Sequence, residues 1–238
     1  MQYAGQDDSW RWAPAVGNSW RTTDDIWAQF KGVRKNFWIS QAHAFRSQPG
    51  AWLDPDLLEV GHPHLTFDQS KTNFCLWVLA KAPLLLSGLD VTKENGIAPD
   101  MLQLIRQRVL LAFHQDPTTR QAQCYVGCSV EDDFSILAAP WGESAKIVLV
   151  VNWSDRDSTV NEWSTAHVGI VPTKDEQVTV LDIFTTKSEK YTFATSQQVP
   201  LTLGPFESAV YVLHSSAPTR RSNPILVDLV GATEAQWA

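Results

Sequence analysis

The sequence lacks both a cluster of positive charge and a long apolar run. Its 238 residues carry 19 Lys and Arg against 26 Asp and Glu, a formal net charge of -7. A chain without a positive field does not collect phosphates, which argues against nucleic acid as a partner. Apolar runs such as 84–86 and 147–151 fall far short of the roughly 20 residues of a membrane span, so we predict no membrane partner either.

Cysteine is also scarce, which restricts both metal and disulfide chemistry. The 3 cysteines offer neither paired CxxC units nor histidines at ligand distance, so they form no zinc framework. His62 and His64 lie close together without a third ligand, a pattern more typical of a loop. We therefore predict no metal and no other cofactor. Cys124 and Cys128 are candidates for one small loop disulfide.

Tryptophan, in contrast, is abundant, with 11 residues in the chain. Core packing accounts for most of them, but exposed indoles also form flat platforms on which sugar rings stack through their C–H faces. One tryptophan lies in the sequon Asn152-Trp153-Ser154. Asn152 is therefore a candidate for N-glycosylation if the protein is secreted.

Residues 1–117 alternate short apolar segments with helical patterns, the rhythm of βα units in a parallel sheet or barrel. Strand-like segments at 19–22, 52–58 and 83–87 each precede a helical pattern. Thr23 or Asp24 is expected to cap the first helix, which includes Ile26, and the third helix starts at Pro99. About three such units are present, whereas a closed (β/α)8 barrel takes about 250 residues.

Residues 118–215 change to period-two strands separated by turn formers, as in an antiparallel β-sandwich domain. Residues 216–238 form a C-terminal tail that is loosely held. The fold class is therefore α/β followed by all-β: the last part of a TIM barrel and then a β-sandwich. The predicted strands of the second part are 134–138, 145–153, 178–184, 191–194, 201–203 and 208–214.

Two polar clusters, 19–26 and 50–58, follow apolar strand segments, where barrel enzymes carry their active sites. Each puts a tryptophan close to carboxylates, and the first adds Arg21, which can donate two hydrogen bonds to neighbouring hydroxyls. Such residues suit a sugar pocket, and glycosidic cleavage needs two carboxyl groups. The residues alone leave a simpler interpretation open, in which Asp24 and Asp25 begin a helix and 54–56 forms a turn.

Four ordered motifs carry a resemblance to a known family. The run 19–26 resembles SWRTTGDI, 52–61 resembles WNDPDMLEVG, 81–86 resembles KAPLL and 115–117 resembles the end of NQDP. These are signatures of glycoside hydrolase family 27, the α-galactosidases and α-N-acetylgalactosaminidases. The resemblance covers residues 2 to about 120 by motif and the remainder by architecture, because the family follows its barrel with an antiparallel β-domain.

The resemblance implies a role for each matching residue. Asp25 matches the family's general acid/base, and Arg21 matches a ligand of substrate hydroxyls after barrel strand six. Asp56 matches a substrate-contacting acid after strand seven, where Trp52 and Asp54 shape the loop. Gln2 falls at the sugar-recognition position after strand five.

The family's nucleophile, an aspartate in a KYD-type motif after strand four, has no counterpart in the sequence. A retaining mechanism requires two carboxyl groups about 5 Å apart, so we expect this chain to be a fragment that does not hydrolyse glycosides by itself. Three residues also depart from the motifs: Asp24 replaces Gly, Leu53 replaces Asn and His114 replaces Asn. Asp24 adds a carboxylate beside the acid, which raises a pKa if both groups are desolvated.

The resemblance implies a retaining, secreted parent enzyme that releases terminal α-linked galactose from oligosaccharides or polysaccharides. Two alternatives stay open. The first alternative is another enzyme of the same family, an α-N-acetylgalactosaminidase or a β-L-arabinopyranosidase. The second alternative is a carbohydrate-binding or scaffold protein without catalytic activity. The sequence does not indicate an oligomeric state.

Overall fold

The computed structural model describes residues 8–86, 96–156, 158–160, 163–171, 177–185, 188–192 and 198–215. In its first part, the helices α1 (Ser9–Trp12), α2 (Phe30–Gln41), α3 (Phe67–Leu79), α4 (Pro99–Ile105) and α5 (Arg108–Gln115) surround two short strands, β1 (Ser19–Arg21) and β2 (Trp52–Asp54). These strands pair in parallel, with Arg21 opposite Asp54.

The three predicted strand-helix units are visible but unequal. The first two contain β1 and β2, whereas the third is reduced to a parallel bridge between Leu58 and Leu86. Residue 87, the end of the predicted third strand, lies outside the described residues. Helix α4 begins at Pro99 as predicted.

Helix α2 differs from the prediction at its start. It begins at Phe30, with Gln29 before it, so Thr23 and Asp24 do not cap it and Ile26 precedes it. The Ile26 N–H donates instead to the Asp56 carboxylate over 2.7 Å. The interpretation of Asp24 and Asp25 as a helix N-terminus is therefore wrong, because long-range hydrogen bonds hold this segment as a loop.

Helix α3 is the most deeply buried helix of the first part. It starts with a reciprocal capping box, in which the Thr66 hydroxyl accepts from the Gln69 N–H and the Gln69 side chain accepts from the Thr66 N–H. Its residues 70–79 are all buried, including Phe74 and Trp77. The helix therefore packs against α2, α4 and α5 and against the β-sheet of the second part.

The second part contains the strands β3 (Gln123–Val126), β4 (Phe134–Trp141), β5 (Ala145–Asn152), β6 (Ser158–Val160), β7 (Gln177–Asp182), β8 (Ser188–Thr192), β9 (Leu201–Leu203) and β10 (Ser208–Ser215). Six of them form an antiparallel sheet in the order β3-β4-β5-β10-β7-β8, and β6 pairs with β9. The predicted strands correspond to β4, β5, β7, β8, β9 and β10. Strands β3 and β6 are additional.

Alternation along the sheet gives it two buried faces. Leu137, Leu149 and Val212 pack against the helices, whereas the neighbouring Val148 and Val150 pack against Trp163 and β9. The first of these cores is continuous across the predicted boundary at 117/118. The predicted tail, 216–238, lies outside the described residues.

The described residues contain neither a membrane-spanning helix nor a cluster of metal-binding side chains. None of their helices combines the length and hydrophobicity that a membrane crossing requires. None of their His, Cys, Asp and Glu side chains gather in a group of three or more that could hold a metal ion.

Candidate functional site

The parallel pairing of β1 and β2 brings the two polar clusters together. Because the strands are neighbours and run in the same direction, their carboxyl ends open at one edge of the fold. The Arg21 guanidinium lies there, with Nη2 2.8 Å from Asp56 Oδ2 and 3.3 Å from Asp25 Oδ1. One arginine nitrogen therefore contacts both of the carboxylates that the sequence singled out.

Asp56 is held through both its side chain and its backbone. Its side chain is only 8% exposed, Oδ2 accepts the Ile26 N–H over 2.7 Å, and its carbonyl accepts the Trp77 indole N–H over 2.7 Å. Its φ is 89°, a conformation that non-glycine residues rarely adopt. The surrounding bonds therefore maintain a strained backbone, a feature that clusters at functional sites.

The Asp54 side chain hydrogen-bonds to the backbone of its own loop. Its Oδ1 accepts the Asp56 N–H over 2.8 Å, which is the turn chemistry expected of an aspartate two residues earlier. Burial raises the pKa of Asp54, and the hydrogen bond from Asp56 and the charge of Arg21 oppose this rise. Asp54 thus shapes the loop that carries Asp56.

Asp25 lies open to solvent, with 97% of its side chain exposed. Arg21 is its contact at the site. The neighbouring Asp24 points to Lys35, whose Nζ is 3.4 Å from Asp24 Oδ2. Competition between the charges of Asp24, which replaces Gly of the family motif, and Asp25 requires both groups to be desolvated. In this conformation both carboxylates are exposed to solvent, so that condition is not met.

Asn36 is a site residue that the sequence analysis missed. Its side chain is buried, and its amide nitrogen lies 3.1 Å from Thr23 Oγ1, 3.0 Å from the Asp24 carbonyl and 3.1 Å from the Pro55 carbonyl. One helix residue therefore joins the loop of Asp25 to the loop of Asp56. Its position three residues after Val33, on the apolar side of α2, was the available signal.

Trp52, at the start of β2, makes a cation–π contact with the buried Lys81. Lys81 Nζ lies 5.5 Å from the centre of the Trp52 ring and donates to the Phe113 and Asp116 carbonyls and to Thr119 Oγ1. Burial lowers the pKa of Lys81 to about 8. The hydrogen bonds of Lys81 thus fix the end of α5 and the segment that follows it.

His114, which replaces Asn of the family motif, contacts a backbone carbonyl. His114 Nε2 lies 2.8 Å from the Ala82 carbonyl, so the ring links α5 to the segment after α3. Burial lowers the pKa of His114, which favours the neutral ring. The third departure, Leu53, is fully buried in β2 and packs with Trp20 and Ala51.

Three of the remaining predicted residues, Cys124, Cys128 and Asn152, belong to the second part of the chain. Cys124 and Cys128 form a disulfide. Asn152 is fully buried, and its amide nitrogen donates to the Arg156 and Gly204 carbonyls. A glycan on that nitrogen is incompatible with this packing, so the glycosylation prediction is wrong for the folded chain. Gln2 lies outside the described residues.

Comparison with known proteins matches this region to a family. Residues 5–116 match the family model described as Alpha galactosidase A. The chain is 33% identical to alpha-galactosidase 3 of Arabidopsis thaliana over 159 residues, which cover 66% of this chain and 35% of the relative. It is 29% identical to an alpha-galactosidase of Oryza sativa subsp. japonica, over 88% of this chain and 47% of the relative.

The fold is also similar to solved structures. The crystal structure of alpha-galactosidase I from Mortierella vinacea matches with a TM-score of 0.76, at 19% identity, over 92% of this chain and 58% of that one. At this identity the likeness concerns the fold alone. The chain thus spans between about a third and a half of the length of the curated relatives described above.

Proposed function

Because the chain belongs, through residues 5–116, to the alpha galactosidase A family, we propose that it carries the acid/base part of a glycoside hydrolase that releases terminal α-linked galactose. The observation that supports this most directly is the Arg21 guanidinium between Asp56 and Asp25. Arg21 and Asp56 bind sugar hydroxyls, and Asp25 donates a proton to the leaving oxygen.

The proposed architecture follows from the same motifs. The parallel strands β1 and β2 and the bridge at Leu86 are strands six to eight of a (β/α)8 barrel, and β3–β10 are the sandwich that follows it. The parallel pairing and the two-sided burial of the large sheet support this assignment. We propose that polypeptide outside these 238 residues provides the barrel's other strands and the nucleophilic carboxylate of a retaining mechanism.

Galactose is the preferred sugar in this proposal, and an oligosaccharide or polysaccharide with a terminal α-galactosyl unit is the substrate. The relatives that support it are named α-galactosidases in Arabidopsis thaliana and Oryza sativa. An α-N-acetylgalactosaminidase or β-L-arabinopyranosidase is the alternative within the family, and competition by N-acetylgalactosamine or L-arabinose would distinguish it. A secreted parent protein is part of the same proposal.

The acid role of Asp25 is tested in the natural protein, purified with any polypeptide that accompanies this chain. We expect Asp25→Asn to lower kcat/KM for raffinose by about 100-fold or more, because its leaving group needs protonation. Hydrolysis of an activated nitrophenyl α-galactoside, whose leaving group does not, should fall much less. Asp8→Asn, in an exposed ion pair away from the site, is the control.

Equal losses on both substrates would contradict the acid role. Galactose binding without turnover of either substrate by the natural protein would instead support the carbohydrate-binding alternative. That alternative has one observation in its favour, the absence of a counterpart to the nucleophile among these 238 residues.

A further inference from the structure

Trp27 is a large apolar side chain left open to solvent beside the proposed acid. Its exposure is 74%, compared with 54% for Trp12, the other tryptophan that the described residues place among the exposed large hydrophobics. Trp27 lies in the loop between β1 and α2, two residues after Asp25. An exposed indole presents a flat apolar face on which a sugar ring can pack.

The backbone of Trp27 is held in place. The preceding Ile26 donates its N–H to Asp56 and packs its side chain against the main core. The Trp27 carbonyl accepts the Gln29 N–H over 2.6 Å. The indole is thus displayed from an anchored loop, so little conformational freedom of the backbone remains to be lost when a ligand binds.

Gly32 makes this arrangement possible. A Cβ at position 32 would lie 2.4 Å from the Trp27 carbonyl oxygen, so the first turn of α2 rests directly against the Trp27 backbone. Alanine would otherwise be the better helix residue by about 1 kcal/mol. The glycine therefore favours the position of this loop at the expense of helix propensity.

The position of Trp27 relative to Asp25 indicates which part of a ligand it contacts. Two residues span at most about 7 Å of chain, so the indole and the carboxylate leave the backbone close together. A general acid donates to the oxygen between two sugar rings. Arg21 contacts both Asp25 and Asp56, and these polar groups suit the ring that is released as galactose, whereas Trp27 offers an apolar surface.

We propose that Trp27 is the stacking platform for the second sugar ring, the one that leaves with the protonated oxygen. This inference rests on the proposed function and extends it to the leaving group. The C–H face of a pyranose packs flat against an indole, a contact that adds affinity for oligosaccharides without changing affinity for free galactose. Trp27 therefore contributes to specificity and is not itself a catalytic residue.

Binding measured by calorimetry tests the proposal, in an Asp25→Asn background of the natural protein so that no turnover occurs. The ligands are raffinose and galactose. We expect Trp27→Ala to raise the Kd for raffinose about tenfold and to leave the Kd for galactose unchanged. Trp27→Phe should retain most of the raffinose affinity, and Trp12→Ala, the matched exposed tryptophan, should change neither Kd.

Gly32→Ala provides a second variant, which displaces the loop without removing the indole. It should weaken raffinose binding and leave galactose binding nearly unchanged. Retained galactose binding also shows that each variant is folded. Equal raffinose affinity in Trp27→Ala and its parent overturns the proposal and indicates that Trp27 packs against polypeptide. Failure of the parent to bind galactose contradicts the proposed function itself, and this inference falls with it.

Discussion

At the scale of single residues, the site depends on buried polar groups whose partners are distant in sequence. Lys81 is the clearest case, because its ammonium group serves two carbonyls and a hydroxyl and its φ of 56° is unusual for a lysine. Removing such a donor leaves buried acceptors without partners, which costs more than the net contribution of the hydrogen bonds themselves.

Lys81→Met is expected to lower the free energy of unfolding by about 2 to 3 kcal/mol at pH 7. Burial lowers the pKa of Lys81 to about 8, from 10.5 in the unfolded chain. Between these values the unfolded state binds more protons, so the contribution of Lys81 to stability rises with pH. The difference in unfolding free energy between the wild type and Lys81→Met should therefore widen from pH 8 to pH 10.

Urea unfolding at several pH values measures this difference, with Lys31→Met as the control because Lys31 is exposed on α2. A difference that stays constant from pH 8 to pH 10 would show that the buried amine stays charged throughout the range. In that case the hydrogen bonds from Lys81 to the carbonyls stabilise the charged amine by more than burial destabilises it.

At the scale of elements, the function of α2 is to connect two loops. The Asn36 amide contacts acceptors in both the Asp25 loop and the Asp56 loop. Asn36→Ala should cost about 1 to 3 kcal/mol of stability. It should also weaken galactose binding severalfold, because the Arg21 contacts with Asp25 and Asp56 lose their common support.

Lys35→Ala is the matched control for Asn36→Ala. Lys35 precedes Asn36 on the same helix and makes an exposed ion pair with Asp24, which contributes at most about 1 kcal/mol. Calorimetric titration with galactose and urea unfolding give the two readouts. A loss of stability in Asn36→Ala with unchanged galactose affinity would limit Asn36 to a structural role.

The sequence predicted elements well where their determinants are local. Helix α4 follows from its proline, and five of the six strands of the large sheet follow from period-two hydrophobicity. The start of α2 could not be predicted, because the Ile26 N–H is bound by a carboxylate 30 residues away. Strands β3 and β6 were missed because their sequences, QCYV and STV, do not alternate apolar and polar residues.

The site was predictable to a similar extent. Arg21, Asp25 and Asp56 follow from motifs, and the parallel pairing of β1 with β2 brings them into contact. Asn36 was missed because an asparagine within a helix usually indicates a solvated face. The burial of Asn152 was missed because a sequon describes a local pattern, whereas its hydrogen bond to Gly204 joins residues far apart in sequence.

At the scale of the whole molecule, the helices and the large sheet share one core. The Trp141 ring meets Phe113 of α5 edge-on at 5.6 Å, and the Trp153 ring lies 6.1 Å from Phe30 and 6.2 Å from Phe37. Residues on the two sides of position 117 therefore bury each other. This continuity argues that the helical part and the sheet unfold together, although their secondary structure differs.

We expect one cooperative unfolding transition in urea, with coincident midpoints for circular dichroism of the helices and fluorescence of the buried tryptophans. Phe113→Ala, which removes a fully buried ring from the helical side of the core, should lower the unfolding free energy by about 3 to 5 kcal/mol and shift both signals equally. Phe45→Ala, at an exposed position, should shift neither. If Phe113→Ala displaced only the helical signal, the two parts would be independent domains divided near residue 117, because a shared core cannot lose a ring on one side and remain intact on the other.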